Sequence, residues 1–74
     1  MTVYLAPKAA DRLAGRLQTV AARRQWALSI RTDSAALADA DLAIVDSAGT
    51  LVSRVRAGSP AAAQARQMAD VVLP

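Results

Sequence analysis

The chain has 74 residues and contains no Cys, no His and no Phe, and its six acidic residues are all Asp. Eight Arg and one Lys give a net charge of +3, and alanine alone fills 19 positions. A zinc site of ordinary composition, a thiol nucleophile and an imidazole general base are therefore excluded.

Along the chain, Thr2-Val3-Tyr4-Leu5-Ala6 is a short β-favouring run stopped by Pro7. Pro7 suits the first turn of a helix, where its missing N–H costs nothing. From Lys8 to about Gln25 the pattern is helical, with Ala10, Leu13, Ala14, Leu17, Val20 and Ala21 in one apolar stripe. Trp26 to Arg31 then alternates: Trp26, Leu28 and Ile30 fall on one face, Ala27, Ser29 and Arg31 on the other, as in a strand buried on one side. Thr32-Asp33-Ser34 supplies turn and cap residues, and a short helical turn is expected over 35–40. Leu42-Ala43-Ile44-Val45 is apolar on both faces, as in a central strand. Ser47-Ala48-Gly49 is a turn, and Thr50 to Ala57 returns as the partner strand of a hairpin. Gly58-Ser59-Pro60 reads as a loop glycine, an N-cap serine and a first-turn proline. The helix that follows turns Ala61, Ala65, Met68 and Ala69 inward. Val71 to Pro74 is either its last turn or a short closing strand. The expected fold is a single α/β domain over residues 1–74, with two helices on one face of a small sheet of three to five strands, in the order β-α-β-β-β-α.

A chain of this size buries only roughly 60% of the surface its unfolded form exposes. With no cysteine to form a disulfide, self-association as a homodimer or binding to a partner is the expected source of extra stability. The first residues lack the charged and apolar regions of a signal peptide. No apolar run approaches the ~20 residues of a membrane span. A cytoplasmic protein with no membrane partner and no cofactor is expected. The Ala and Arg bias fits a GC-rich bacterial genome, or a phage or plasmid resident in one, so that a phage-encoded chain would act in the host cytoplasm.

Charge is distributed in blocks. Residues 1–32 carry Lys8, Arg12, Arg16, Arg23, Arg24 and Arg31 against Asp11, a balance of +5. Residues 33–53 carry only Asp33, Asp39, Asp41 and Asp46, a balance of −4; Arg54, Arg56 and Arg66 against Asp70 give +2 to the remainder. Such a basic–acidic–basic order orients a partner more than it drives generic affinity for a polyanion.

Two sets of bases are candidate partner-binding residues. On an ideal helix Lys8, Arg12, Arg16 and Arg23 fall within an ~80° sector opposite the apolar stripe. That sector is either a solvated helix face or a surface for phosphates or an acidic protein. Arg54 and Arg56, with Arg31 expected alongside, are either a sheet-face anion site or charges that guard an edge strand. The four Asp of the acidic block lack the spacing of a calcium loop: Asp33 reads as a cap, Asp46 as a turn opener, and Asp39 and Asp41 flank a strand. Ser59 has no base to activate it. Trp26 and Tyr4 are too few for base stacking, and are expected to close one end of the core together.

Two resemblances add to this reading. Val3-Tyr4-Leu5-Ala6-Pro7, with Ala38-Asp39-Ala40-Asp41-Leu42-Ala43-Ile44-Val45-Asp46, resembles the first and third strand regions of nucleoside deoxyribosyltransferase-like proteins. That family places a Gly-Pro loop after its first strand and uses a Glu nucleophile; this chain has no Gly after Ala6 and no Glu. Residues 46–69, with the Gly49 turn, Arg54, Arg56, Ala57-Gly58-Ser59 and an Ala-rich helix containing Gln67-Met68-Ala69, resemble a hairpin-plus-helix unit of small phage-encoded anti-CRISPR proteins. The second resemblance implies a protein-binding inhibitor, without chemistry, whose partner is a host CRISPR effector complex. The alternative function is a small nucleic-acid-binding regulator that sets the same arginines on phosphates.

Overall fold

Val3, Tyr4 and Leu5 are all buried, so the strand they form has no wet side and must lie inside a sheet. In the computed structural model, which describes residues 1–73, this strand is β1 (Thr2–Leu5). It pairs in parallel with β2 (Ser29–Arg31) on one side and with β3 (Leu42–Ser47) on the other. β4 (Thr50–Val55) runs antiparallel to β3 and completes a four-stranded sheet in the order β2-β1-β3-β4. Two helices, α1 (Pro7–Arg24) and α2 (Ala62–Val72), pack on one face, giving the expected α/β order β-α-β-β-β-α.

The main core lies between that face and the helices. Val3, Leu5, Leu42 and Ile44 from the sheet meet Leu13 and Leu17 of α1 and Met68 and Val72 of α2. On the opposite face a smaller cluster joins Tyr4, Ala40 and Ala43, with Ala36 from a short 3₁₀ turn (Ser34–Ala36) packed against it. Trp26 belongs to the edge of the main core. The two large aromatic residues thus sit on opposite faces of the sheet, instead of closing one end together, because alternation along β1 turns Tyr4 away from Val3 and Leu5.

Several boundaries differ from the sequence reading for local reasons. α1 starts at Pro7 and ends where Gln25 adopts a left-handed backbone (φ 58°), with the Trp26 N–H donated to the Ala21 carbonyl at 2.9 Å. Trp26 is thereby held in the helix cap, and the strand expected from Trp26 shrinks to Ser29–Arg31. Trp26, Leu28 and Ile30 nevertheless stay half-buried against the core. β3 runs two residues beyond Val45, and β4 ends at Val55 instead of Ala57. Ala48 (φ 52°) and Gly49 (φ 84°) supply the two left-handed residues of a tight hairpin turn, and the Asp46 carboxylate accepts the Gly49 N–H at 2.9 Å. α2 begins at Ala62, and its last turn includes Val71 and Val72, so the helical alternative holds there; Pro74 lies outside the described residues.

One carboxylate joins the ends of this fold. Asp41, just before β3, accepts the Thr2 N–H at 2.8 Å, the Ser59 hydroxyl and the Arg56 guanidinium at 3.4 Å. Its backbone donates to the Thr2 carbonyl at 2.8 Å and accepts the Arg56 N–H at 3.0 Å. The start of β1, the exit from β4 and the lead into α2 therefore converge on Asp41. Ser59, expected as a simple N-cap, accepts the Ala61 N–H at 3.2 Å while its hydroxyl is donated to Asp41. The Ser59 hydroxyl, then the Thr2 N–H, hold the Asp41 carboxyl below its ordinary value, with Arg56 adding to the effect against the cost of burial.

A carboxyl with a depressed folded-state pKa contributes stability that is complete above its unfolded value near 3.8 and is lost as pH falls through the folded value. Asp41→Ala is expected to lower stability by about 2–4 kcal/mol in denaturant titrations at pH 7, since it strands several donors at once. Asp41→Asn is expected to flatten the loss of stability that the wild type shows in acid.

Candidate partner-binding surface

The outward face of α1 is set by what the helix buries. Ala9, Leu13, Leu17 and Ala21 turn to the core, which leaves Lys8, Arg12, Arg16 and Arg23 exposed. Lys8, Arg12 and Arg16 follow one another at about 6 Å along the axis, one helical turn apart. Thr19 fills the gap before Arg23, its hydroxyl donated to the Gly15 carbonyl at 2.9 Å. Among the described residues the ion pairs are Arg31 with Asp33 and Arg56 with Asp41; none involves the four bases of this ridge.

The other candidate bases do not join them. Arg54 pairs in register with Ala43 and lies on the sheet face opposite the helices, beside the Tyr4 cluster. Arg56, just beyond β4, is held by Asp41. Arg31 lies on β2, at the other edge of the sheet from β4, and makes a two-pronged contact with Asp33 at 2.9 and 3.2 Å. Arg31 is therefore not alongside Arg54, and Asp33 pairs with it instead of capping the 3₁₀ turn. Of the six candidates, Lys8, Arg12, Arg16 and Arg23 form one ridge on α1, while Arg54 and Arg56 line a separate depression with Leu37 and Ala43.

Sequence reasoning missed the apolar neighbour of that ridge. Val71 is 42% exposed on α2, although Ala65, Met68, Ala69 and Val72 around it are buried. With Gly15, Arg16, Thr19, Val20 and Arg23 it lines a shallow depression of about 380 Å³ between the helices. The signal was present, since a helix that buries Met68, Ala69 and Val72 turns Val71 off its inner stripe. Arg24 was likewise overlooked: it donates to Gln67 Oε1 at 2.7 Å and lies 5.2 Å from the Trp26 ring centre, tying α1 to α2.

A second depression, of about 500 Å³, opens at the C-terminal ends of β1 and β3 between Ala6, Pro7, Lys8, Asp46, Ala48 and Gly49. Open α/β sheets commonly bind ligands at such a point, where the chain leaves neighbouring strands in opposite directions. Its titratable groups are Lys8 and Asp46, and Asp46 is already engaged by the Gly49 N–H. Among the described residues no group of acidic side chains is placed to hold a metal ion, and no helix is long and apolar enough to cross a membrane.

Comparison of the chain with protein families, curated proteins and solved structures gives no match. The surface therefore has to be read from its own chemistry. Exposed bases without ion-pair partners contribute little to folding. The double variant Arg12→Ala, Arg16→Ala is expected to keep wild-type stability to within about 0.5 kcal/mol in thermal melts. Arg24→Ala, which loses a stacking and a hydrogen-bonding partner, is expected to cost about 1 kcal/mol.

Proposed function

We propose that the chain is a non-enzymatic binding protein that inhibits a host protein or protein complex by covering an acidic part of its surface with α1. The observation that carries this reading is the placing of exposed Val71 and half-buried Val20 between Arg16 and Arg23. Protein interfaces are organised around a desolvated anchor flanked by arginine, whereas a nucleic-acid backbone is held mainly by cations. The absence of His, Cys and Glu supports recognition over chemistry, because arginine is a residue of binding in most settings. An anti-CRISPR inhibitor of phage origin, acting in the host cytoplasm, is the sharpest form of the proposal; its support is the resemblance of residues 46–69.

A nucleic-acid-binding regulator is the second reading, favoured by the regular ~6 Å steps from Lys8 to Arg12 to Arg16. The two are separated by capture from bacterial lysate on the immobilised chain, with mass spectrometry of what is retained. A stoichiometric protein partner is expected, with retention reduced about ten-fold or more for the triple variant Arg16→Glu, Arg23→Glu, Val71→Asp. Retention of no protein, together with tight, steeply salt-dependent binding to random duplex, would overturn the first reading in favour of the second.

A further inference from the structure

From the unpaired edge of β4, we infer that a second copy of this chain adds to the sheet there, the two β4 strands running antiparallel about a two-fold axis at Ser53. The inference does not depend on what α1 binds. It begins from the direction of the backbone groups. The tight turn pairs Ser47 with Thr50, and the Arg56 N–H is donated to the Asp41 carbonyl at 3.0 Å. In an antiparallel ladder, residues that bond to the partner alternate with residues that do not. Thr50, Val52 and Arg54 therefore turn their N–H and C=O groups toward β3, while Arg56, beyond the strand, donates its N–H to Asp41 and accepts the Ser59 N–H at its carbonyl. Leu51, Ser53 and Val55 turn theirs outward, at the edge of the sheet.

This edge carries few of the devices that keep strands apart. The β3–β4 register advances one for one over six pairs without a bulge. β4 contains no Pro and no Lys, and the residues with outward backbone groups are Leu51, Ser53 and Val55, none of them charged. β2, at the opposite edge, is only three residues long.

Self-pairing then has a preferred register. With Ser53 opposite Ser53 of the second copy, Leu51 faces Val55 and Val55 faces Leu51, and the three residue pairs each exchange two hydrogen bonds. Leu51 and Val55, half-exposed in the single chain, gain each other as apolar cross-strand neighbours. On the other face Arg54 falls opposite Val52, and Arg56 opposite Thr50. A register centred on Val52 would use only two of the three bonding pairs. One centred on Arg54 would set two guanidinium groups directly opposite, a like-charge contact that opposes pairing. Arg54 and Arg56, one reading of which is as guards of an edge strand, do not meet their own copies in the Ser53 register.

The test is sedimentation equilibrium of the full chain from about 10 μM to about 1 mM, with amide exchange followed residue by residue. The mass is expected to rise toward the dimer, and the amides of Leu51, Ser53 and Val55 to gain protection as it does. Ser53→Pro removes an outward N–H without touching the β3 ladder, and is expected to weaken dimerisation about ten-fold or more. Ser53→Glu, which places like charges across the axis and keeps the backbone unchanged, is expected to weaken it in the same direction. A monomer mass over the whole range would overturn the inference. So would a dimer in which those three amides stay unprotected, or one that both Ser53 variants leave unchanged.

Discussion

The fold depends on a single partly buried carboxylate. A four-stranded sheet with helices on one face has to fasten three loose ends at its lower rim: the first residues of β1, the exit of β4 and the approach to α2. Apolar packing cannot do this, because each end carries a hydrogen-bond donor, backbone or side-chain, that must be satisfied. Asp41 meets them from one position, through the Thr2 N–H, the Ser59 hydroxyl and the Arg56 guanidinium. Arg56, a candidate for partner binding by sequence, is in this way committed to the fold. Removing the carboxylate leaves several groups wanting at once, which is why one acid outweighs the other five in structural importance.

With Arg56 tied to Asp41 and Arg31 to Asp33, the positive charge that remains available is concentrated on α1. The helix is able to present it because its inner side needs only Ala9, Leu13, Leu17 and Ala21 to fill the space over the sheet. α2 then brings Val71 to the border of the charged strip. Charge and apolar surface side by side, on rigid elements and without competing acids in ion pairs, suit recognition of another macromolecule. The opposite face of the sheet is differently composed, with Tyr4 and Ala43 sheltered and Arg54 exposed at its margin.

Much of this was legible in the residues. The stripe of Leu13 and Leu17, the two-faced apolar run at Leu42–Val45 and the turn at Gly49 carry the element order, because periodicity reports directly on which side of an element is buried. The ridge was legible for the same reason. What escaped was set by contacts distant in sequence. Nothing near Asp41 announces that it will meet Thr2 and Ser59, 39 and 18 residues away, so it read as one flank of a strand. Trp26 looked like the start of a strand because its claim by the α1 cap is a backbone hydrogen bond, which leaves no trace in side-chain pattern. Arg31 and Arg54 seemed neighbours because sequence alone does not reveal that β1 and β3 come between them.

The central claim is that the outer face of α1, with the exposed end of α2, is where this chain meets its partner. Amide and side-chain footprinting of the chain, free and in complex with the protein it captures from lysate, tests this most directly. Protection is predicted at Arg12, Arg16, Thr19 and Arg23 of α1 and at Val71 of α2, with the face around Tyr4, Ala43 and Arg54 unchanged. Protection confined to that sheet face, with α1 as accessible as in the free chain, would contradict it.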